Sequence, residues 1–473
     1  MGDQTGMTEC SSEQLEFQRV KQRKVVTAFD GGDVTSDAGG LLLREVVNGS
    51  RIIDRFAACF KDHRDPDLIG YSVRDLLGQR VMGLCLGYED LNDHDRLRND
   101  PLFCALVERI SRDGKATLAG KSTLNRLELT KENATKENRY KKIVYVGEEI
   151  ERLPVDFFIE SQEDKQPEEI WLDLDATDDT IHGNQEGKHF HGYYDENCFL
   201  PLYVFTGCGS LLSARLRTSD CNPMEGVLID IPRIVGQLRE KWPEVRIIVR
   251  GDAGFCHDDL MSWCESNGVE YVLGLGTNAR LEKMIAKDLL KAKKKCKKTR
   301  KAARRYRNLR YRTLKTWSKK RRVVAKAEHL PGENGKNARF VVASISREEF
   351  GSRKLYEDLY CARGNMENRI KEQQMGLFSD RTSAHPLRAN QLRLWFSSIA
   401  YILMHELRRI GLKKTQLASA QCWTIREKLF KIGAVVTISF RRIRLAMSSG
   451  YPWQETFAQC LRNLQRHYAF PPE

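Results

Sequence analysis

The segment Ile170-Trp-Leu-Asp-Leu-Asp175 limits the fold around it more than any other stretch. Apolar and acidic residues alternate with period two, a β-strand pattern that puts Asp173 and Asp175 on one side. Two more strand patterns follow, 199–206 and 211–217, joined by the hairpin signal Gly207-Cys-Gly209. Beyond them the spacing predicts a helix over 225–242, a short buried strand over 245–249, a helix over 258–267 ending at Gly268, and a strand over 270–275. Three strands in succession, then helix, strand, helix and strand, make an α/β layout with an antiparallel start.

Asp175 ends the first of these strands, and Asp252 ends the fourth, inside Arg250-Gly-Asp-Ala-Gly254. In a twisted sheet whose first and fourth strands are neighbours, both carboxylates emerge at the same edge. Downstream, Tyr360-Cys-Ala-Arg-Gly-Asn-Met-Glu-Asn-Arg-Ile-Lys371 contains no proline and reads as a helix. Steps of three, four and four place Tyr360, Arg363, Glu367 and Lys371 along one helical face. The ordinary alternative for that face is a solvated stripe of i,i+4 ion pairs. A helix packed across the sheet edge would instead bring Glu367 to the two aspartates. Three carboxylates at one locus repel one another, so such a cluster calls for divalent cations. Oxygen-only ligands suit Mg²⁺ or Mn²⁺, and two such ions about 3.5–4 Å apart serve phosphoryl displacement.

The segments LDLDAT (172–177), VRGDAGF (249–255) and YxxRxxxE (360–367) resemble the DDE transposases of bacterial insertion sequences. The likeness is to the branch with a Tyr-Arg-Glu-Lys signature and a β-strand insertion before its catalytic helix. GYEDLNDHDRLRNDP (87–101) and HGNQEGKHFHGYY (182–194) extend it, and it covers about residues 25 to 410. The resemblance implies an RNase H-like α/β catalytic core, over 165–277 and 356–412, interrupted by a basic β-rich insertion over 278–355. A mostly helical DNA-binding region, 1–150, would precede it, and a helical region, 413–473, would follow.

The same resemblance implies that Asp175, Asp252 and Glu367 are the catalytic metal ligands, holding two Mg²⁺ or Mn²⁺ ions. Tyr360, Arg363 and a lysine would contact phosphates near the cleaved end. The branch's lysine position is Gln374 here, so Lys371 is the nearest substitute on the same face. Trp317 is the only tryptophan of the insertion and the candidate to stack on a displaced base, against a place in the core of the insertion. The implied activity is metal-dependent cutting at the ends of a mobile element, followed by joining of the 3′-OH ends to target DNA. Its partners would be terminal inverted repeats, target DNA and, on the DNA ends, a second copy of the chain. A cytoplasmic, nucleoid-associated bacterial protein is expected. Two rivals are a DNA-binding repressor without activity and a nuclease without strand transfer.

Charge agrees with a polyanionic partner. The formal net charge is +14, yet residues 287–326 hold twenty Lys or Arg and one acid, so the remaining 433 residues sum to −5. Lys294 and Lys298 lie in a lysine-rich helix predicted from Met284 to about Arg305, with strands predicted over 312–317, 321–327 and 338–346 and a turn at Gly332-Glu-Asn-Gly335. A second basic site is Arg126, just inside a helix that Ser122 would cap, in a pattern similar to the second helix of a helix-turn-helix.

Other groups carry blander readings. Asp173 sits deeper than Asp175, where pairing with a buried cation is its expected job. His182, His189 and His191 have no cysteine at zinc-ligand spacing and are expected at the surface. Asp30, Asp33 and Asp37 sit in a Gly-rich setting that reads as turn chemistry. Thirteen cysteines without a CxxC pair predict free thiols in a reducing compartment. The opening Met1-Gly-Asp-Gln-Thr5 carries no apolar signal segment, and the longest apolar stretch, 394–404, is too short to span a bilayer.

Overall fold

Strand β1 (Glu169–Ala176) buries Leu172 and Leu174 completely on one face, as its alternation demands. In the computed structural model, which describes residues 14–110, 117–163, 165–332 and 335–469, β1 lies inside an eight-stranded sheet. The first five residues and the Glu333-Asn334 centre of the predicted turn lie outside the described residues.

Two short strands, β2 (Leu202–Thr206) and β3 (Leu211–Arg215), form the predicted hairpin, with β2 antiparallel to β1. On the other side, β4 (Arg246–Gly251) pairs parallel with β1, and β5 (Glu270–Leu275) pairs parallel with β4. The resulting order, β3-β2-β1-β4-β5, with the hairpin antiparallel and the last two strands parallel, is RNase H-like. Helices α1 (Gly147–Ser161), α2 (Val227–Lys241) and α3 (Asp258–Ser266) supply Val155, Phe158, Ile231, Ile234, Leu260 and Met261 to the core over the sheet.

The insertion does not form a sheet of its own. After α4 (Ala279–Met284) and α5 (Ala286–Thr299), strands β6 (Ala303–Tyr311), β7 (Arg321–His329) and β8 (Lys336–Ala343) continue the main sheet. Strand β8 runs antiparallel to β5, giving the full order β3-β2-β1-β4-β5-β8-β7-β6. Pairing satisfies backbone groups along the open edge of β5, and Val323, Val324, Val341 and Val342 are buried.

Two predicted boundaries in this region are corrected. The lysine-rich helix stops at Thr299, where Arg300 turns left-handed (φ 52°), and 303–311 is strand rather than helix. Residues 312–317 form the hairpin connection rather than a strand, with Thr313 Oγ1 accepting from the amides of Thr316 and Trp317. Arginine is a good helix former, so its abundance hid the strand. Pairing with β7 decided the matter.

After β8 the chain runs helically from Ser352 to Gly376, with α6 (Asn365–Lys371) inside that run, and then into the buried helix α7 (Leu387–Glu406).

The chain divides into two compact units. One unit, Arg51–Leu77 with Asn125–Glu406, contains the sheet; the other joins Met1–Ser50, Gly78–Leu124 and Leu407–Glu473. The predicted N-terminal region thus contributes to both units, and the predicted C-terminal region shares a unit with part of it. That second unit contains the helices Leu41–Ser50 and Gln454–Tyr468. It also holds a three-stranded sheet of Val34–Thr35, Ala434–Ile438 and Ile443–Met447. Among the described residues, no helix is long and apolar enough to cross a membrane.

Candidate active site

Strands β1 and β4 run side by side with Asp173 in register with Arg250. Two residues further along each strand come Asp175 and Asp252, at the same sheet edge, as the predicted strand order requires. Below them Arg250 holds the buried Asp173 with two hydrogen bonds, Nε to Oδ1 at 2.6 Å and Nη2 to Oδ2 at 2.8 Å. Its remaining nitrogen, Nη1, donates to the Leu359 carbonyl at 2.8 Å, and its guanidinium lies 4.6 Å from the Trp171 ring centre. The buried cation expected for Asp173 is therefore Arg250, which also ties β4 to the helical segment carrying Tyr360.

Asp175 accepts a hydrogen bond from Arg363 Nη1 at 2.9 Å through Oδ2 and one from the Ala176 amide at 3.1 Å through Oδ1. Burial pushes its carboxyl above the usual carboxylate range; Arg363 pulls it back, and the Asp252 charge pushes it up again. Asp252 is extended (φ −76°, ψ −167°) and fixes its own turn by accepting from the Gly254 amide at 2.8 Å. Tyr360, half-buried, has its phenol raised by burial, opposed by Arg363 and reinforced by Asp252. Four predicted residues thus come together: Asp175, Asp252, Tyr360 and Arg363.

Glu367 and Lys371 do not join them. Lys371 Nζ donates to Glu367 Oε1 at 2.9 Å, and the two side chains are 54% and 69% exposed. That hydrogen bond holds the Glu367 carboxyl below its ordinary range. Among the described residues, no three His, Cys, Asp or Glu side chains converge as a metal-binding group.

The helix itself accounts for the split. A wide π-type turn covers Leu355–Tyr360, a tight 3₁₀ turn Cys361–Gly364, an α turn Asn365–Lys371 and another wide turn Glu372–Gly376. Side chains three apart eclipse one another in a 3₁₀ turn, which aligns Tyr360 with Arg363. The winding changes again at Asn365, so Glu367 does not follow the spacing of a uniform helix. The single face expected from uniform helical spacing becomes an inner pair and an outer pair.

Two residues not marked as functional in the sequence also shape the site. A methyl group placed on Gly274 of β5 would come 2.7 Å from Tyr360 Oη and 2.9 Å from the Ala253 nitrogen, so only glycine lets these groups approach. The signal was legible as Leu273-Gly-Leu-Gly276, glycines inside a strand pattern. Gln374 donates through Nε2 to the Asp178 carbonyl and to Asp179 Oδ1, both at 3.0 Å. It therefore braces the turn that follows Asp175.

The remaining predicted residues lie elsewhere. Trp317 is 6% exposed and packs edge-on against Tyr311 at 5.8 Å in the core, so the alternative role, core tryptophan, describes its position. Lys294 and Lys298 are exposed on α5, whose inner residues Ala292 and Cys296 are buried. Among the described residues, no lysine of α5 is ion-paired. By contrast, Arg304, Arg305, Arg307, Lys319, Arg321 and Lys326 of the same band form internal ion pairs. Arg126 is exposed, its guanidinium 4.5 Å from the Tyr140 ring centre. Its helix begins at Lys121, so Ser122 is inside it and not its cap; Asp95 Oδ1 accepts from the Lys121 amide instead. His182 and His189 are exposed, and His189 faces Asp220 at 3.3 Å.

The arrangement offers two oxygen-donor carboxylates from adjacent strand ends, beside a guanidinium and a phenol. That is a donor set for hard cations next to donors for a phosphate. The family model described as "Transposase DDE domain group 1" matches residues 17–469. Among solved structures, the chain is similar to piggyBac transposase in its synaptic complex with hairpin DNA. The identity is 10% over 93% of this chain and 86% of that one, with a TM-score of 0.39. It is also similar to Marinitoga piezophila Argonaute in complex with 5′-OH guide RNA and target DNA, at 11% identity over 42% of this chain and 26% of that one, with a TM-score of 0.20. No curated protein matches the sequence.

Proposed function

Because the chain belongs to the family of DDE transposase domains, group 1, we propose that it cuts the ends of a mobile DNA element by metal-dependent phosphodiester hydrolysis and joins the freed 3′-OH ends to target DNA. The observation that carries this reading is the placement of Asp175 and Asp252 at the ends of neighbouring parallel strands, with Arg363 reaching Asp175 from the following helix.

The donor set fits Mg²⁺ or Mn²⁺. Both aspartates offer only oxygen, and a cation would relieve the burial and repulsion that raise the Asp175 carboxyl. Asp175 and Asp252 would hold it, and Glu367 would complete the set on releasing Lys371. When bound, divalent cations neutralise charge at the scissile phosphate and acidify a water. The chain's own residues would do the rest. Arg363, with its planar fork, would orient a phosphate of the scissile strand, and the Tyr360 phenol would donate beside it. Lys371 would act as a point charge on the outer side. Lys294 and Lys298 would hold flanking duplex by its phosphates, with Arg126 a further phosphate contact. Trp317 could reach a base only by leaving the core. Two ends held together suit two copies of the chain.

The test uses the purified protein, labelled duplexes from the DNA flanking its coding sequence, Mg²⁺ and a target plasmid. Nicks leaving a 3′-OH, followed by joined products, are expected. Asp175→Ala, Asp252→Ala and Glu367→Ala should each abolish cutting while DNA binding persists. Binding without any cutting by the unaltered protein would overturn the reading in favour of a repressor, and cutting without joining in favour of a nuclease.

A further inference from the structure

The unit that does not contain the sheet carries an exposed basic ribbon. Strands Ala434–Ile438 and Ile443–Met447 form an antiparallel ribbon in which Ala434 pairs with Met447 and Ile438 with Ile443. Strand Val34–Thr35 holds only the root, pairing with Ala434 and Val435. The root is fixed by packing, since Ala434, Leu445 and Met447 sit in a cluster with Ala38, Ile432, Tyr451 and Phe457. From Thr437 onward the ribbon has two strands only among the described residues. Its tip is closed by the Ser439 amide, which donates to the Arg442 carbonyl at 2.8 Å, and by the Ser439 hydroxyl at 3.1 Å to the same oxygen.

The tip presents a consistent chemistry. Phe440 is 78% exposed, and Arg441, Arg442 and Arg444 that follow it are exposed as well. None of the three arginines is ion-paired among the described residues. From Lys428 to Gln454 the sequence contains two lysines, three arginines and no acid. A firmly rooted arm with an exposed aromatic ring and exposed arginines in the same few residues matches a polyanion that also offers an apolar gap. Duplex DNA does so at its minor groove, where arginines sit in the negative potential of a narrow groove and apolar wedges enter between base steps. A protein groove would require acidic residues to match the arginines, a less general fit.

We propose that the 434–447 ribbon is a DNA-binding arm that lays Arg441, Arg442 and Arg444 along the minor groove and inserts Phe440 as a wedge, bending the duplex. The ribbon belongs to the unit that does not contain Asp175 and Asp252, and the proposal goes beyond the cutting activity argued above.

The experiment uses the full chain carrying Asp252→Asn, so that binding is read without cutting. Probes are short duplexes with fluorophores at both ends and either an A·T-rich or a G·C-rich centre. Energy transfer between the ends reports bending, and titration reports affinity. The parent should bend the A·T-rich duplex more strongly. Phe440→Ala should abolish most of the bend and weaken binding by about tenfold, the scale of one lost base stack. Phe440→Leu, which keeps an apolar wedge, should retain the bend. Arg441→Gln with Arg442→Gln should lower the slope of log K against log salt by about two, one per lost phosphate contact.

Thermal melting of each variant checks that the exposed substitutions leave the fold intact. Unchanged bending and affinity in Phe440→Ala would overturn the proposal. So would a Phe440→Ala variant that loses self-association while binding DNA as before, which would give the tip to a second copy of the chain. A parent that binds and bends DNA, in a protein that never cuts, would leave the arm standing and remove the proposed cutting activity. Cutting with normal bending in Phe440→Ala would do the reverse.

Discussion

Arg363 donates a hydrogen bond to Asp175 across 188 residues of sequence, at 2.9 Å. The contact places a guanidinium fork where a scissile phosphate would approach the aspartates, and it cannot be copied by a lysine. A charge-assisted hydrogen bond is worth about 1.5–3 kcal/mol, so Arg363→Lys should slow single-turnover cutting of pre-bound DNA by roughly ten- to a hundredfold. Lys371→Arg should be tolerated, because Lys371 acts as a point charge and pairs with the exposed Glu367, both of which an arginine can do. Normal cutting by Arg363→Lys would assign the pair a structural role alone.

Gly274→Ala tests the close approach at the same edge. The added methyl would press on Tyr360 Oη and the Ala253 nitrogen. Backbone at β4 and β5 can yield only slightly, so a stability loss of about 1–3 kcal/mol is expected, with a larger loss of cutting. Unfolding by denaturant and single-turnover kinetics on one preparation separate the two effects. An equal loss in both would mean that the residue serves packing only.

Asp173→Asn should leave Arg250 without its buried counter-charge. The Asp173 and Arg250 side chains are 2% and 6% exposed, so solvent cannot replace the partner. Removing one member of a buried pair costs about 3–5 kcal/mol. A matching fall in the urea midpoint is expected, together with weaker docking of the segment tied at Leu359. A midpoint unchanged from the parent would place Arg250 in contact with water.

Asp179 predicts a pH dependence. Burial pushes its carboxyl up to about 8 from an ordinary 3.8, with Gln374 opposing and Asp380 and Asp178 reinforcing. The native state therefore keeps a proton that the unfolded chain releases above the ordinary value. Stability from this group is fully present below pH 3.8 and is lost as pH rises toward about 8. Asp179→Asn should flatten that slope in thermal melts taken across the window. An unchanged slope would assign it to other groups.

The lysines of α5 predict salt dependence. Replacing Lys293, Lys294, Lys295, Lys297 and Lys298 with Gln should lower the slope of log K against log salt by about one per lost phosphate contact. Ion-paired arginines of the same band, such as Arg321 with Asp258 and Glu265, should instead affect stability. Equal slopes for parent and variant would turn α5 toward solvent.

Local pattern alone determined much of this protein. Period-two alternation marked β1, and a strand running into Gly-Asp marked the end of β4. Their acidic ends made Asp175 and Asp252 recognisable as a pair once the two strands were taken as neighbours. Asp173 was legible as a structural carboxylate because it lay one pleat deeper. These are properties of residues a few positions apart, fixed by strand geometry.

Tertiary structure decided what depends on distant partners. Strands β6 to β8 extend the main sheet because β5 offered an open edge, and no residue within 303–343 encodes which edge its strand will meet. Trp317 is in the core because β6 and β7 close over it. Tyr360 and Arg363 part from Glu367 and Lys371 because the helix changes its winding at Cys361–Gly364. Backbone hydrogen bonding sets that winding only when the helix docks on the sheet, since uniform periodicity cannot distinguish a 3₁₀ turn from an α turn.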